Sequence, residues 1–345
     1  MTKPATQDDV ARAASVTPLT VRRALKGGPG VGEGTRERIR KIAAELDYRP
    51  NAAARAMRRG RFGAVGLLLS TDRGRSYLPS DLVDGIDDAL AEREIQLTVV
   101  RLPDEKLTDQ GFVPRILREW CCDGLLINYT DHIPDKMIDL IERSRHPAVW
   151  LNTRGEHNCV YPDDFAGSRM ATRRLLQLGH RRIAYAHYTT RNPEVEMAVL
   201  HYSVRDRIEG YREAMREAGL TPRVFGWAAP PRPQRPALAR QWLYGPDRPT
   251  GVVAHSPESA VVVLLAAAAA GLPVPQRLSL VMIADAGRNV GGHDAATARV
   301  PMRAVGAEAV ELLIERLPAP LTDRPAKAVA YDWDDGATLA PPAEA

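Results

Sequence analysis

The residues of this sequence best equipped for chemistry stand near its amino end, and the chemistry they suit is recognition rather than bond-making. Thr17 can cap a helix with Pro18 at its first position, where a missing N–H does no harm. At about 100° per residue, Val21, Ala24 and Leu25 then share one face. Leu19, Arg22, Arg23 and Lys26 share the opposite one, with Pro18 and Thr20 at its flanks. The Arg23 guanidinium matches guanine O6 and N7 in a bidentate pair, worth about 1–3 kcal/mol of base discrimination. Leu19 offers an apolar contact to a thymine methyl, while Thr20 and Arg22 are placed for phosphates. Catalytic constellations are missing: there is no H-E-x-x-H, no G-x-S-x-G and no Walker loop. Gly27-Gly28-Pro29-Gly30 follows a helix rather than a strand, so it is no phosphate cradle. The histidines are scattered without i, i+4 pairing, and Cys121, Cys122 and Cys159 lack metal-ligand spacing. No enzymatic activity, cofactor or metal is expected.

Local signals place that face within three short helices. Thr6, followed by Gln7-Asp8-Asp9, caps the first. Ser15-Val16 ends it, and the Gly-rich run ends the second. The third, over 33–46, carries Ile39, Ile42, Ala43 and Leu46 as its apolar stripe and stops before Tyr48-Arg49-Pro50. A tight turn between the first two helices makes a helix-turn-helix, whose second helix suits the major groove of DNA. A small protein-binding three-helix unit is the alternative. Charge favours the first reading. Residues 1–62 hold 14 Lys and Arg against 6 Asp and Glu, a balance of +8, so the remainder carries −4 of the chain's +4. Residues 51–60 have strong helix propensity but are too few to be helical alone in water. Ordered on DNA, Arg55, Arg58 and Arg59 would neutralise phosphates and Met57 would wedge into a minor-groove base step. Without DNA the same run is an Ala-rich linker.

Beyond Gly60, short apolar strands alternate with amphipathic helices. Strands are expected at 64–69, 95–100, 124–127, 148–151, 182–185, 251–254 and 279–283. Helices are expected at 81–93, 112–120, 136–143, 166–178, 207–218 and 258–270. Repeated βα units imply parallel sheets covered by helices on both faces. So many units exceed one compact sheet and favour two subdomains with a cleft. The apolar run 260–270 is too short to span a bilayer, and no secretory signal opens the sequence. With free thiols expected as well, the chain reads as cytoplasmic.

Asp9-Val10-Ala11-Arg12-Ala13-Ala14-Ser15-Val16-Thr17-Pro18-Leu19-Thr20-Val21-Arg22-Arg23-Ala24-Leu25, with Tyr48-Arg49-Pro50-Asn51-Ala52-Ala53-Ala54-Arg55, resembles the headpiece of the LacI/GalR family of bacterial repressors. Gly179-His180-Arg181-Arg182, Gly210-Tyr211-Arg212 and Val305-Gly306-Ala307-Glu308 resemble landmarks of the same family's core, a relative of periplasmic sugar-binding proteins. The resemblance implies an all-α helix-turn-helix headpiece (1–49), a hinge helix or linker (50–62), and an α/β core of two doubly wound subdomains (63–345). The subdomains would span 63–160 and 161–288, with later segments crossing back between them. It makes Pro18, Leu19 and Arg23 the groove-facing readers, puts Thr20 on the backbone, and gives Ala54 and Met57 to the minor groove. Thr6, Thr17, Arg22, Lys26, Asn51, Arg55 and Arg58 complete the expected DNA contacts. Met57 stands where Leu is usual, and Arg22 replaces a small hydroxyl residue.

For the core the resemblance implies a cleft lined by Tyr77, Asn152, Arg205, Arg207, Trp227, Ser256 and Asp285. Ser256 and Ala284 stand where the family usually has Asn and Asp for sugar hydroxyls, and Pro257 replaces the Asp after that Asn. The implied function is sequence-specific transcriptional regulation, with repression as its expected sense. The partners are a pseudo-palindromic double-stranded DNA, a small-molecule effector such as a carbohydrate, and a second copy in a homodimer. No membrane partner is expected. A non-sugar effector, no effector, and a sugar-binding module without DNA readout are the alternatives.

Overall fold

Helix caps near the amino end act over three or four residues, and the structure follows them. Asp9 N donates to Thr6 Oγ1 (3.3 Å) while Thr6 N donates back to the Asp9 carboxylate (2.9 Å), a reciprocal cap that opens α1 (Gln7–Ala13). Thr17 opens α2 (Pro18–Leu25) by accepting from Thr20 N at 3.2 Å. Between them Ser15 takes a left-handed backbone, φ 53°, which reverses the chain within a short turn. The third helix, α3 (Glu33–Glu45), hands its C-cap to Leu46. Val10, Val21 and Ile39 are fully buried, each contributing about 1.5–3 kcal/mol. Ile42 is half-buried and Leu46 is 39% exposed, so the apolar stripe of α3 is narrower than its spacing suggests. Arg36 braces the turn after α2, donating to the carbonyls of Ala24, Gly28 and Val31 at 3.2–3.4 Å.

This computed structural model describes residues 5–49, 61–72, 75–103, 116, 121–129, 135–188, 201–226, 231–285, 287 and 289–343. They fall into two compact units, Met1–Gly63 and Ala64–Ala345. In the second unit the first strands and helices are β1 (Ala64–Ser70), α4 (Ser80–Ala91), β2 (Gln96–Leu102), β3 (Gly124–Asn128), α5 (Asp135–Ser144), β4 (Ala148–Leu151) and β5 (Cys159–Pro162). Next come α6 (Asp164–Gln177), β6 (Ile183–Ala186), α7 (Tyr202–Glu217), β7 (Val224–Phe225), α8 (Arg235–Trp242), β8 (Gly251–Ala254), α9 (Pro257–Ala269) and β9 (Ser279–Ala284). A short hairpin of β10 (Asn289–Val290) and β11 (His293–Asp294) precedes β12 (Ala296–Arg299), α10 (Met302–Arg316), β13 (Lys327–Val329) and β14 (Asp332–Asp334). The expected helix over 112–120 lies outside the described residues except for Ile116.

Two six-stranded sheets result. One runs β13-β5-β4-β3-β1-β2 and is parallel throughout; the other runs β14-β12-β9-β8-β6-β7, with only β14 antiparallel. Each strand order reverses beside a central strand, β1 or β6, the topological switch point of an open α/β sheet. The chain passes between the sheets three times: from β5 to α6, from β12 to α10, and from β13 to β14. Helix pairs close over each subdomain where glycine removes a side chain. A Cβ on Gly210 of α7 would sit 2.1 Å from the Phe165 carbonyl oxygen of α6, and one on Gly85 of α4 would sit 2.0 Å from that of Arg303 in α10. No described helix is long and apolar enough to cross a membrane. All three cysteines are free, Cys122 and Cys159 buried.

Candidate nucleic-acid interface and ligand cleft

The amphipathic spacing of α2 decides which side chains it shows to solvent. Val21 and Ala24 are fully buried against α1 and α3, whereas Leu19 is 44% exposed and Pro18, Arg22, Arg23 and Lys26 are exposed beside it. Thr20 is half-exposed at the flank, where its hydroxyl lies 2.9 Å from that of Thr17. Among the described residues neither Arg22 nor Arg23 is paired with a carboxylate, so both guanidiniums are open to an external acceptor. An exposed leucine between two unpaired arginines, on a helix pinned by its own cap, is a rigid surface of the size and charge that a major groove accepts.

In the second unit, polar side chains gather just past the carboxyl ends of the strands. Asn128 ends β3 and Asn152 follows β4; His187, His255 and Asp285 follow β6, β8 and β9. At their centre Arg207 donates Nε to the Asp164 carboxylate (2.5 Å) and Nη1 to the His255 carbonyl (3.1 Å). The Tyr331 hydroxyl donates to the same Asp164 oxygen at 2.6 Å. Burial opposes the Arg207 charge, but Tyr331 and Asp164 outweigh it and hold its pKa above the usual range. The rings of His187 and His255 meet edge-to-face at 4.4 Å, and His255 Nδ1 shares a 2.7 Å hydrogen bond with the Tyr185 hydroxyl. Burial, reinforced by the Arg207 charge, lowers His187 to about 4; burial, His187 and Arg207 lower His255 as well. Both imidazoles are therefore neutral at pH 7. Across the cleft the Tyr77 hydroxyl donates to the Asp285 carboxylate, joining one subdomain to the other. Asn128, fully buried, donates Nδ2 to the Tyr77 carbonyl (2.7 Å), and its Oδ1 meets no protein donor among the described residues.

Residues 6–51 match the model for bacterial regulatory proteins of the lacI family, and residues 172–334 match the periplasmic binding protein-like domain. The chain belongs to the LacI family of bacterial regulatory proteins. The ribose operon repressor of Escherichia coli K12 is 28% identical over 336 residues, 92% of this chain and 94% of that protein. A lac repressor dimer bound to operator and the anti-inducer ONPF shares the fold, with a TM-score of 0.73 at 21% identity over 98% of this chain and all of that one. A LacI-family regulator from Enterococcus faecium with bound ribose gives a TM-score of 0.60 at 20% identity over 81% of this chain and 99% of that one.

LacI-family membership does not place every expected residue in one site. Thr6 and Thr17 act as helix caps with exposed side chains. Asn51, Ala54, Arg55, Met57, Arg58 and Trp227 lie outside the described residues. Tyr77, Asn152, Arg207, Ser256 and Asp285 come together at the cleft, and each already has a protein partner: Tyr77 pairs with Asp285, and Asn152 Oδ1 accepts from the Tyr202 hydroxyl at 3.3 Å. Arg207 is held by Asp164, and Ser256 Oγ accepts from Ser259 N (3.3 Å) as the N-cap of α9. Arg205 does not join them. Its side chain is 65% exposed and among the described residues pairs only with Asp206, at 3.8 Å, because two steps along α7 turn it away from Arg207. The sequence reading missed Asp164, His187, His255 and Tyr331. The first three stand beside a strand's carboxyl end, and that position was the available signal; Tyr331 had none.

Proposed function

We propose that this chain represses transcription by seating α2 in the major groove of an operator, under control of a small uncharged polyol bound in the cleft. The observation that carries the DNA half is the outward Leu19/Arg22/Arg23 face standing on buried Val21 and Ala24. In this reading Arg23 reads a guanine, Leu19 and Pro18 contact base edges, and Thr20, Arg22 and Lys26 hold phosphates. Thr6 and Thr17 sit against the backbone, and Asn51, Ala54, Arg55, Met57 and Arg58 act in the minor groove between half-sites. A homodimer supplies the two headpieces that a pseudo-palindrome requires. The protein acts in the cytoplasm, and no catalytic step is assigned to it.

The cleft favours a neutral, hydroxyl-rich effector. Its buried cation is matched by Asp164, its imidazoles are neutral, and Asn128 Oδ1 and the Asp285 carboxylate are acceptors. The ribose operon relative and the ribose-bound neighbour make a pentose the first candidate. Ser256, engaged as a helix cap, supports a second reading in which the effector is a smaller metabolite than a sugar. Closure around the effector would bias the Tyr77–Asp285 contact, and the operator and effector affinities would be coupled reciprocally, by about 1–3 kcal/mol. The test is selection of bound duplexes from a random pool, with and without ribose. A symmetric motif whose recovery changes with ribose is expected; recovery of no preferred sequence would defeat the proposal.

A further inference from the structure

At the amino end of β4, one strand length (about 13 Å) from Asn152, a cavity of about 460 Å³ opens between α5, β4 and the segment after α10. Its floor holds Arg316, the last residue of α10, only 6% exposed. Arg316 donates Nη1 to the Ala148 carbonyl (2.5 Å) and Nη2 to the Pro320 carbonyl (2.9 Å), while Nε meets no acceptor among the described residues. Among the described residues no carboxylate pairs with it. Hydrogen-bonded only to neutral carbonyls, the Arg316 guanidinium has burial working against its charge, offset in part by the nearby Asp323 carboxylate rather than by a direct ion pair. Arg145 stands exposed on the cavity wall, likewise without an ion pair among the described residues, and Trp150 and Leu321 give the wall an apolar surface. Burial lowers the pKa of His146 on the same wall, so it is neutral at pH 7. Glu142 and Asp323 also line the cavity, and their carboxylates would repel a polyanion.

We infer that this cavity is a second ligand site, separate from the cleft, for a small monocarboxylate with a planar apolar body. Its carboxylate pairs with Arg316 and Arg145, and its apolar body lies against Trp150. The cavity stands at the amino end of β4 and the cleft at its carboxyl end, so a ligand here would act on the same strand from its other end.

Benzoate titrated into the full chain by calorimetry and tryptophan fluorescence tests this. One saturable site per chain is expected, with a quench that Trp150→Phe abolishes. Benzamide and inorganic phosphate should each bind at least 10-fold more weakly, the first for want of charge and the second through Glu142 and Asp323. Arg316→Gln and Arg145→Glu should each weaken benzoate at least 10-fold. Arg145 is exposed, so its variant carries the test should Arg316→Gln fail to fold. Arg207→Met in the cleft should leave benzoate affinity unchanged. Absence of saturable binding, tighter binding of phosphate than of benzoate, unchanged affinity in Arg145→Glu, or loss of the site in Arg207→Met would each overturn the inference.

Discussion

Replacing Asp164 by Asn isolates the charge at the centre of the cleft with almost no change of shape. In the wild type that carboxylate, 1% exposed, accepts Arg207 Nε at 2.5 Å and the Tyr331 hydroxyl at 2.6 Å. Asparagine keeps an acceptor oxygen, so both donors retain a partner. What disappears is the negative charge opposite a guanidinium that is itself only 15% exposed. Two charge-assisted hydrogen bonds reduced to neutral ones cost about 1–2 kcal/mol together. The stranded cation raises the total to about 3–5 kcal/mol, the usual cost of breaking a buried pair. For a unit of this size each 1 kcal/mol lowers Tm by roughly 2–4 °C, so a fall of about 6–20 °C is expected by calorimetry or circular dichroism. The double variant Asp164→Leu/Arg207→Met removes both charges and should regain most of that loss. A fall below about 2 °C in Asp164→Asn, or a double variant less stable than the single one, would refute the reasoning.

Arg23→Ala should cost about 1–3 kcal/mol on the preferred duplex and relax one base position. Equal losses on preferred and random DNA, in a binding titration, would remove it from the reading role. Gly210→Ala places a methyl 2.1 Å from a backbone oxygen, and should destabilise the core by about 1–3 kcal/mol in urea titrations. His187 titrates near 4 in the fold against about 6.5 unfolded, so the unfolded chain binds more protons between those values. Its contribution is complete above pH 6.5 and is lost as pH falls towards 4, by about 3 kcal/mol in all. His187→Gln should flatten stability over that window, as followed by denaturant midpoints at successive pH values.

The parts legible in the sequence are those built from neighbours along the chain. Thr17 and Pro18 start α2, and apolar spacing puts Val21 and Ala24 inside it, all within eight residues. The alternating strands and helices were equally plain, because each strand of a parallel sheet is a short run of aliphatic side chains. Strands β5, β7, β12, β13 and β14 escaped because each is four residues or shorter, and β7, β13 and β14 are partly exposed as well. The centre of the cleft escaped for a different reason. Asp164 and Arg207 are 43 residues apart and meet because α6 packs on α7, and Tyr331 joins them because the chain returns between the sheets. The pair of histidines is similar: His187 and His255 belong to different strands, and no local spacing links them. Arg205 and Arg207 differ by about 200° around α7, which is why Arg207 reaches Asp164 while the Arg205 side chain stays exposed beside Asp206.

Three passages between the sheets leave neither half of the core as a continuous stretch of chain. A relative could not donate one half as a cassette, since three splices would have to succeed at once; a change of effector must accumulate by single substitutions at strand ends. The amino-terminal unit joins the core by one stretch of chain, so a single recombination could give the same core a new DNA address. Target preference and chemical sensing are thereby free to diverge at very different speeds.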